Sequence, residues 1–181
     1  VHEAITLQVC VLSTVESLLV PEVVRRVHER HPPLVVNVVT GASAHLLAQL
    51  RVGELDLVVG RMTDSPEIQG LNFEHLYSES MTLVARAGHP LLAGVLDLHA
   101  LERYPLVLPL AGTTIRRFAD SLFVQCGISQ SRQRLETLSV PLSRRYVLCS
   151  EALWIAPLDA ARLDLASGDP YATDLAHPAP G

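Results

Sequence analysis

Three short apolar runs rich in β-branched residues, ITLQVCVL (5–12), LVVNVVT (34–40) and LDLVVG (55–60), alternate with stretches of helical character. That alternation constrains the fold most. Strands that are apolar along nearly their whole length need cover on both faces, which a parallel sheet flanked by helices supplies. After the first run, Ser13-Thr14 offers N-cap oxygens and Glu16 suits the first helical turn. The spacing predicts a helix over 15–30 with Leu18, Leu19, Val23 and Val27 inward, ended by Pro32-Pro33. Gly41 makes a turn, and its use there fits a backbone position of positive φ. Ser43 precedes a helix of about 43–52 with Leu46, Leu47 and Leu50 inward, terminated by Gly53. The order is βαβαβ. In such sheets ligands lie beyond the carboxyl ends of the strands. Those ends carry Ser13-Thr14, Thr40-Gly41 and Gly60-Arg61, next to two helix N-termini that can hold an anion.

The second half repeats the style. A polar loop (63–70) leads to FEHLY (73–77), read as a strand, and to MTLVARAGHPLL (81–92), a strand entering a turn. A short helix (97–103), a strand (105–109) and the turn AGTTIRR (111–117) open a helix of about 114–126 that Gly127 caps. A strand (135–140), a helix (142–150), a strand (152–157) and a helix (158–168) follow. The expectation is two α/β lobes joined near 78–84, then a polar, Pro-rich tail (169–181) with no further strand or helix.

Composition excludes several classes. The apolar fraction of 49% implies a real core, and no apolar run is long enough to span a bilayer. Net charge is −5, there is no lysine, and all fourteen basic residues are scattered or paired arginines. No basic stripe exists and aromatic residues are few, which argues against nucleic-acid binding by this chain alone. The three cysteines lack CxxC spacing, so neither a disulfide framework nor a zinc site is indicated, and a reducing, cytoplasmic setting fits. The start, VHEAITLQV, has neither an initiator Met nor a signal-peptide pattern, so an excised or processed chain is expected.

Three stretches resemble the effector-binding domain of LysR-type transcriptional regulators. LLAQLRVGELDLVVGR (46–61) is similar to the family's L-x-x-L-x-x-G-x-L-D-L-x-x-G run. LYSESMTLVARAGHPLL (76–92) resembles its hinge ending in H-P-L, and YPLVLPLAGTTIRRF (104–118) the opening of its second lobe. The resemblance covers roughly residues 4–168. VVGRM (58–62) and RRYVLCSEALWI (144–155) look closest to regulators of protocatechuate catabolism and of a galactose-binding protein. It implies an α/β, type 2 periplasmic-binding-protein-like fold of two Rossmann-like lobes with a ligand cleft between them. Lobe I would be 1–80 and lobe II 81–168. The family's N-terminal winged helix-turn-helix is absent from this stretch, and its usual return segment to lobe I is not seen in 169–181.

The residues that match the cleft are Ser13, Thr14, Thr40, Gly41, Ser43 and Arg61 in lobe I, and Pro109, Thr113, Thr114, Tyr146 and Ser150 in lobe II. Each has a structural reading too. Ser13, Ser43, Thr113 and Thr114 serve as ordinary helix caps, and Arg61 can pair with Asp64 or Glu67 instead of with a ligand carboxylate. Trp154 fits core packing better than ligand stacking, and Cys10 reads as a buried, inert thiol. No catalytic constellation, HExxH or Gly-rich phosphate loop is present, so no enzyme, metal or cofactor is indicated. The implied partners are a small effector, an aromatic or dicarboxylic acid before a sugar, and further copies of the chain in a homodimer or higher homo-oligomer. A second copy would pair through residues near 15–40, with Val20, Val24 and Val36 as contacts. Promoter DNA would be bound only through the missing domain, and no membrane is involved. The rival is a transporter's solute-binding protein of the same fold.

Overall fold

The structure is a computed structural model that describes residues 5–16, 19–41, 43–61, 68–92, 97–167 and 170–174. The chain divides into two compact units, Val1–Tyr77 and Ser78–Gly181.

In the first unit β1 (Thr6–Val11) lies between β2 (Val35–Thr40) and β3 (Leu57–Val59), all parallel. Helices α1 (Ser13–Glu16), α2 (Leu19–Arg30) and α3 (Ser43–Arg51) make the crossovers. A small core of Cys10, Leu46 and Leu55, flanked by Leu50 and Val58, holds the sheet to α3. Asp56 explains the LDL motif. Its carboxylate accepts the Gln8 amide at 2.7 Å while its own amide donates to the Gln8 carbonyl at 2.9 Å. The pair fixes β3 in register with β1. Cys10 is fully buried and its thiol donates to the Val39 carbonyl at 2.7 Å. Burial pushes that thiol up, and a backbone hydrogen bond at Val11 offsets a smaller part of the shift.

The second unit has the strand order β6-β5-β7-β4-β8. Here β5 (Leu106–Leu108), β6 (Arg134–Glu136) and β7 (Leu153–Pro157) are parallel. Strand β4 (Met81–Arg86) runs antiparallel to β7 and to β8 (Pro170–Asp174). Alternate residues feed opposite faces, as a pleated strand requires. Leu83, Leu106, Leu108, Leu153 and Ile155 meet Ile115, Ala119 and Phe123 of α4 (Thr114–Cys126). On the other face Val84, Val107, Trp154 and Ala156 meet Val147 of α5 (Val140–Leu148) and Ala160 and Ala161 of α6 (Leu158–Ser167). Trp154 is thus a core residue.

Five expectations are corrected. The helix expected over 15–30 is a single turn, α1, followed by a separate α2, with Leu18 outside the described residues. No residue of α2 is fully buried: Leu19, Val20, Val24 and Val27 are half-covered and Val23 is 46% exposed. FEHLY (73–77) forms no strand, since among the described residues it joins neither sheet's ladder. Strand 135–140 is shorter, since Ser139 caps α5 and Val140 begins it. The tail is not free of structure: Pro170–Asp174 is β8, whose ladder comes from the open edge of β4 rather than from an apolar pattern of its own.

Candidate functional site

Each unit presents one rim, formed where its parallel strands end. In the first unit Val11 pairs in register with both Thr40 and Val59, so the three carboxyl ends stand side by side. The Leu12 amide donates to the Val59 carbonyl at 3.1 Å and extends that edge. Ser13, Thr40, Gly41, Gly60 and Arg61 therefore share one edge, about two strand spacings or roughly 10 Å wide. Thr40 and Gly41 are exposed, and Ser13 and Arg61 are half-buried. Thr14 and Ser43 begin helical turns here, but their side chains lie outside the described residues, as do Asp64 and Glu67.

Two details differ from expectation. Helix α1 is too short to sum many peptide dipoles, so α3 carries most of the positive end at this rim. Gly41 does not have a positive φ. Its reason is contact: a Cβ at Gly41 would stand 3.0 Å from Leu46 Cδ2.

In the second unit the rim is the turn Pro109–Thr113 after β5 together with Thr137–Ser139 after β6. Leu108 pairs with Glu136, and the Thr137 amide donates to the Leu108 carbonyl at 2.9 Å. Thr113 is the N-cap of α4: its Oγ1 accepts the Arg116 amide at 3.2 Å and donates to the Leu110 carbonyl at 2.8 Å. Gly112, at φ 83°, is the position in the turn that requires glycine. Thr114 is exposed, and its hydroxyl accepts from Arg117 at 3.4 Å. Pro109 is buried and contributes its carbonyl inward.

Tyr146 and Ser150 are not brought to this rim. Helix α5 leaves the carboxyl end of β6 and returns to the amino end of β7, so its last turn reaches the opposite edge of the sheet. Tyr146 packs against the Trp154 core. The Ser150 hydroxyl donates to the Tyr146 carbonyl at 2.5 Å and accepts the Ala152 amide at 3.2 Å. Conversely, Ser139 does stand at the rim. It caps α5, its Oγ accepting the Leu142 amide at 3.3 Å, and the signal for it was Ser139 two places before Pro141. The third helix N-terminus at this edge is already occupied: the Glu79 carboxylate accepts the Asp159 amide of α6 at 2.8 Å.

These rims offer hydroxyls, backbone N–H groups at helix starts and the guanidinium of Arg61. Among the described residues no group of three or more His, Cys, Asp or Glu could hold a metal. The chemistry available is recognition of a small, polar or anionic molecule. A two-unit α/β domain with strand-end rims of this kind is a scaffold on which small-molecule sites are built. Residues 2–181 match the LysR substrate binding domain, and the chain belongs to that family. It is 40% identical over 134 residues to the HTH-type transcriptional regulator PcaQ of Agrobacterium fabrum (strain C58), covering 74% of this chain and 43% of that protein. It is 30% identical over 164 residues to the HTH-type transcriptional regulator GbpR of Rhizobium radiobacter, covering 90% and 53%. The chain thus spans about half the length of the curated relatives it matches. The effector binding domain of QuiR in complex with shikimate shares the fold, with a TM-score of 0.73, 18% identity, and coverage of 93% of this chain and 79% of that one. The relatives are transcriptional regulators, not transporter binding proteins.

Proposed function

We propose that the chain is the effector-sensing part of a LysR-type regulator, and that strand-end rims of this kind recognise a small carboxylated metabolite, an aromatic or dicarboxylic acid before a sugar. The observation that carries this reading is the convergence of Ser13, Thr40, Gly41 and Arg61 on one edge beside the N-terminus of α3. Backbone N–H groups and a planar guanidinium suit a carboxylate. Shikimate, the ligand in the QuiR structure, is itself a ring carboxylic acid. Effector binding would shift the population between states of a full-length regulator, whose DNA contacts lie in a separate winged helix-turn-helix. The setting is the cytoplasm, where promoter DNA is found; among the described residues no helix is long and apolar enough to cross a membrane. The half-covered stripe of α2 and the exposed Val35, Val38 and Val39 of β2 support pairing with a second copy. The test is a thermal-shift screen against aromatic acids, muconate-type dicarboxylates and hexoses, because a ligand of the folded state raises the melting temperature. A shift with carboxylates supports the reading, and a shift with a neutral hexose alone overturns its anionic part.

A further inference from the structure

Arg116 occupies an unusual place. It lies in the first turn of α4, where the helix dipole disfavours a cation, and it is buried. Its contacts explain why it is tolerated. Nε donates to Asp120 at 2.9 Å, Nη1 reaches Glu136 at 3.1 Å, and Nη1 also donates to the Pro109 carbonyl at 3.0 Å. Nη2 stands 3.5 Å from the Gln130 amide oxygen. Glu136 is shared with Arg134 at 2.9 Å, and Gln130 donates to Asp120 at 2.7 Å. The Arg116 charge is therefore neutralised within the unit and is not an anion receptor.

What the guanidinium does instead is hold the rim. Its Nη1 takes the first residue of the turn, Pro109, while its own amide takes the last, Thr113, so one residue closes the turn at both ends. The same nitrogen ties the end of β6 to the end of β5 through Glu136. A lysine has one point charge and cannot satisfy these directions together. We infer that Arg116 is a positioning residue for the second unit's part of the effector site: it sets the shape of Pro109–Thr113 and its spacing from Thr137–Ser139. The inference rests on the reading that this rim contacts the effector, but the geometry it asserts is measurable without a ligand.

The test is residue-resolved amide hydrogen exchange on the 181-residue chain in the wild type, Arg116→Met and Arg116→Lys. A control, Val147→Ala, lowers stability from the other face of the sheet. The Thr113, Arg116 and Thr137 amides report on the rim, and Leu83 and Ile155 on the sheet. The expected result is rim exchange about tenfold faster in both Arg116 variants than in Val147→Ala, when temperatures are chosen to match their global stability. Rim exchange that rises only as far as in Val147→Ala would overturn the inference and leave Arg116 a general stabiliser. Rim protection retained in Arg116→Lys would overturn it too, since charge alone would then suffice. Failure of the thermal-shift screen would leave these exchange rates unchanged, so the two readings fail separately.

Discussion

Gly41 to Ala is the most informative single change at the first rim. A Cβ there meets Leu46 Cδ2 at 3.0 Å, and Leu46, 2% exposed, is locked in the unit's small core. Overpacking a buried neighbour costs about 1–3 kcal/mol. Against that, Ala at a φ it can adopt gains about 0.4–1 kcal/mol from a less flexible unfolded chain. The balance is a loss of about 1 kcal/mol. Leu46→Val removes the offending methyl at a cost of roughly 1 kcal/mol, on the order of one buried methylene. In that background Gly41→Ala should become stabilising by about 0.4–1 kcal/mol, a coupling of about 1–3 kcal/mol. The assay is thiol labelling of Cys10 across a urea series, read by peptide mass, because Cys10 is buried in the same core. Gly41→Ala costing the same in both backgrounds would refute the contact argument and point to a backbone requirement instead.

Other expectations follow from the same geometry. Asp56→Ala should cost about 1 kcal/mol, less than the roughly 1.5–3 kcal/mol usual for a charged acceptor because the bond is solvent-exposed, with faster exchange at the Gln8 amide. Ser150→Ala should lower stability by about 0.5–1.5 kcal/mol and leave effector affinity unchanged in calorimetric titration, since both its bonds lie at the far edge of the sheet. Glu22 is hydrogen-bonded by Arg25 and Arg26, which hold it down at about 2 against an ordinary 4.5. A lowered folded value means that this stabilisation is full above about 4.5 and is lost as pH falls toward about 2. Because the cluster lies at the surface, carboxyl titration by NMR should show the value climbing as salt is added.

The sequence made some of this legible. The three parallel strands of the first unit were readable because each apolar run is bounded by caps and turn residues. Helix α4 was readable to its ends because Thr113 and Gly127 are unambiguous, the latter at φ 64°. The remainder depends on tertiary context. Strand β8 carries a proline and no apolar run, so only the open edge of β4 makes it a strand. FEHLY has strand-like composition, yet it joins neither sheet among the described residues. Tyr146 and Ser150 look like rim residues by chain position, but the direction of α5 carries them to the other edge. Arg116 was invisible because its partners, Pro109, Glu136 and Gln130, come together only in the fold.

The most direct test of the central claim is calorimetric titration of this domain with the carboxylate that gives the largest thermal shift, in the wild type, Arg61→Ala and Thr40→Ala. The account predicts that both substitutions weaken binding by about tenfold or more, the loss of roughly one charge-assisted or capping hydrogen bond. Unchanged affinity in both variants, or binding of a neutral hexose instead, would contradict it and make the arginine at the end of β3 a structural residue.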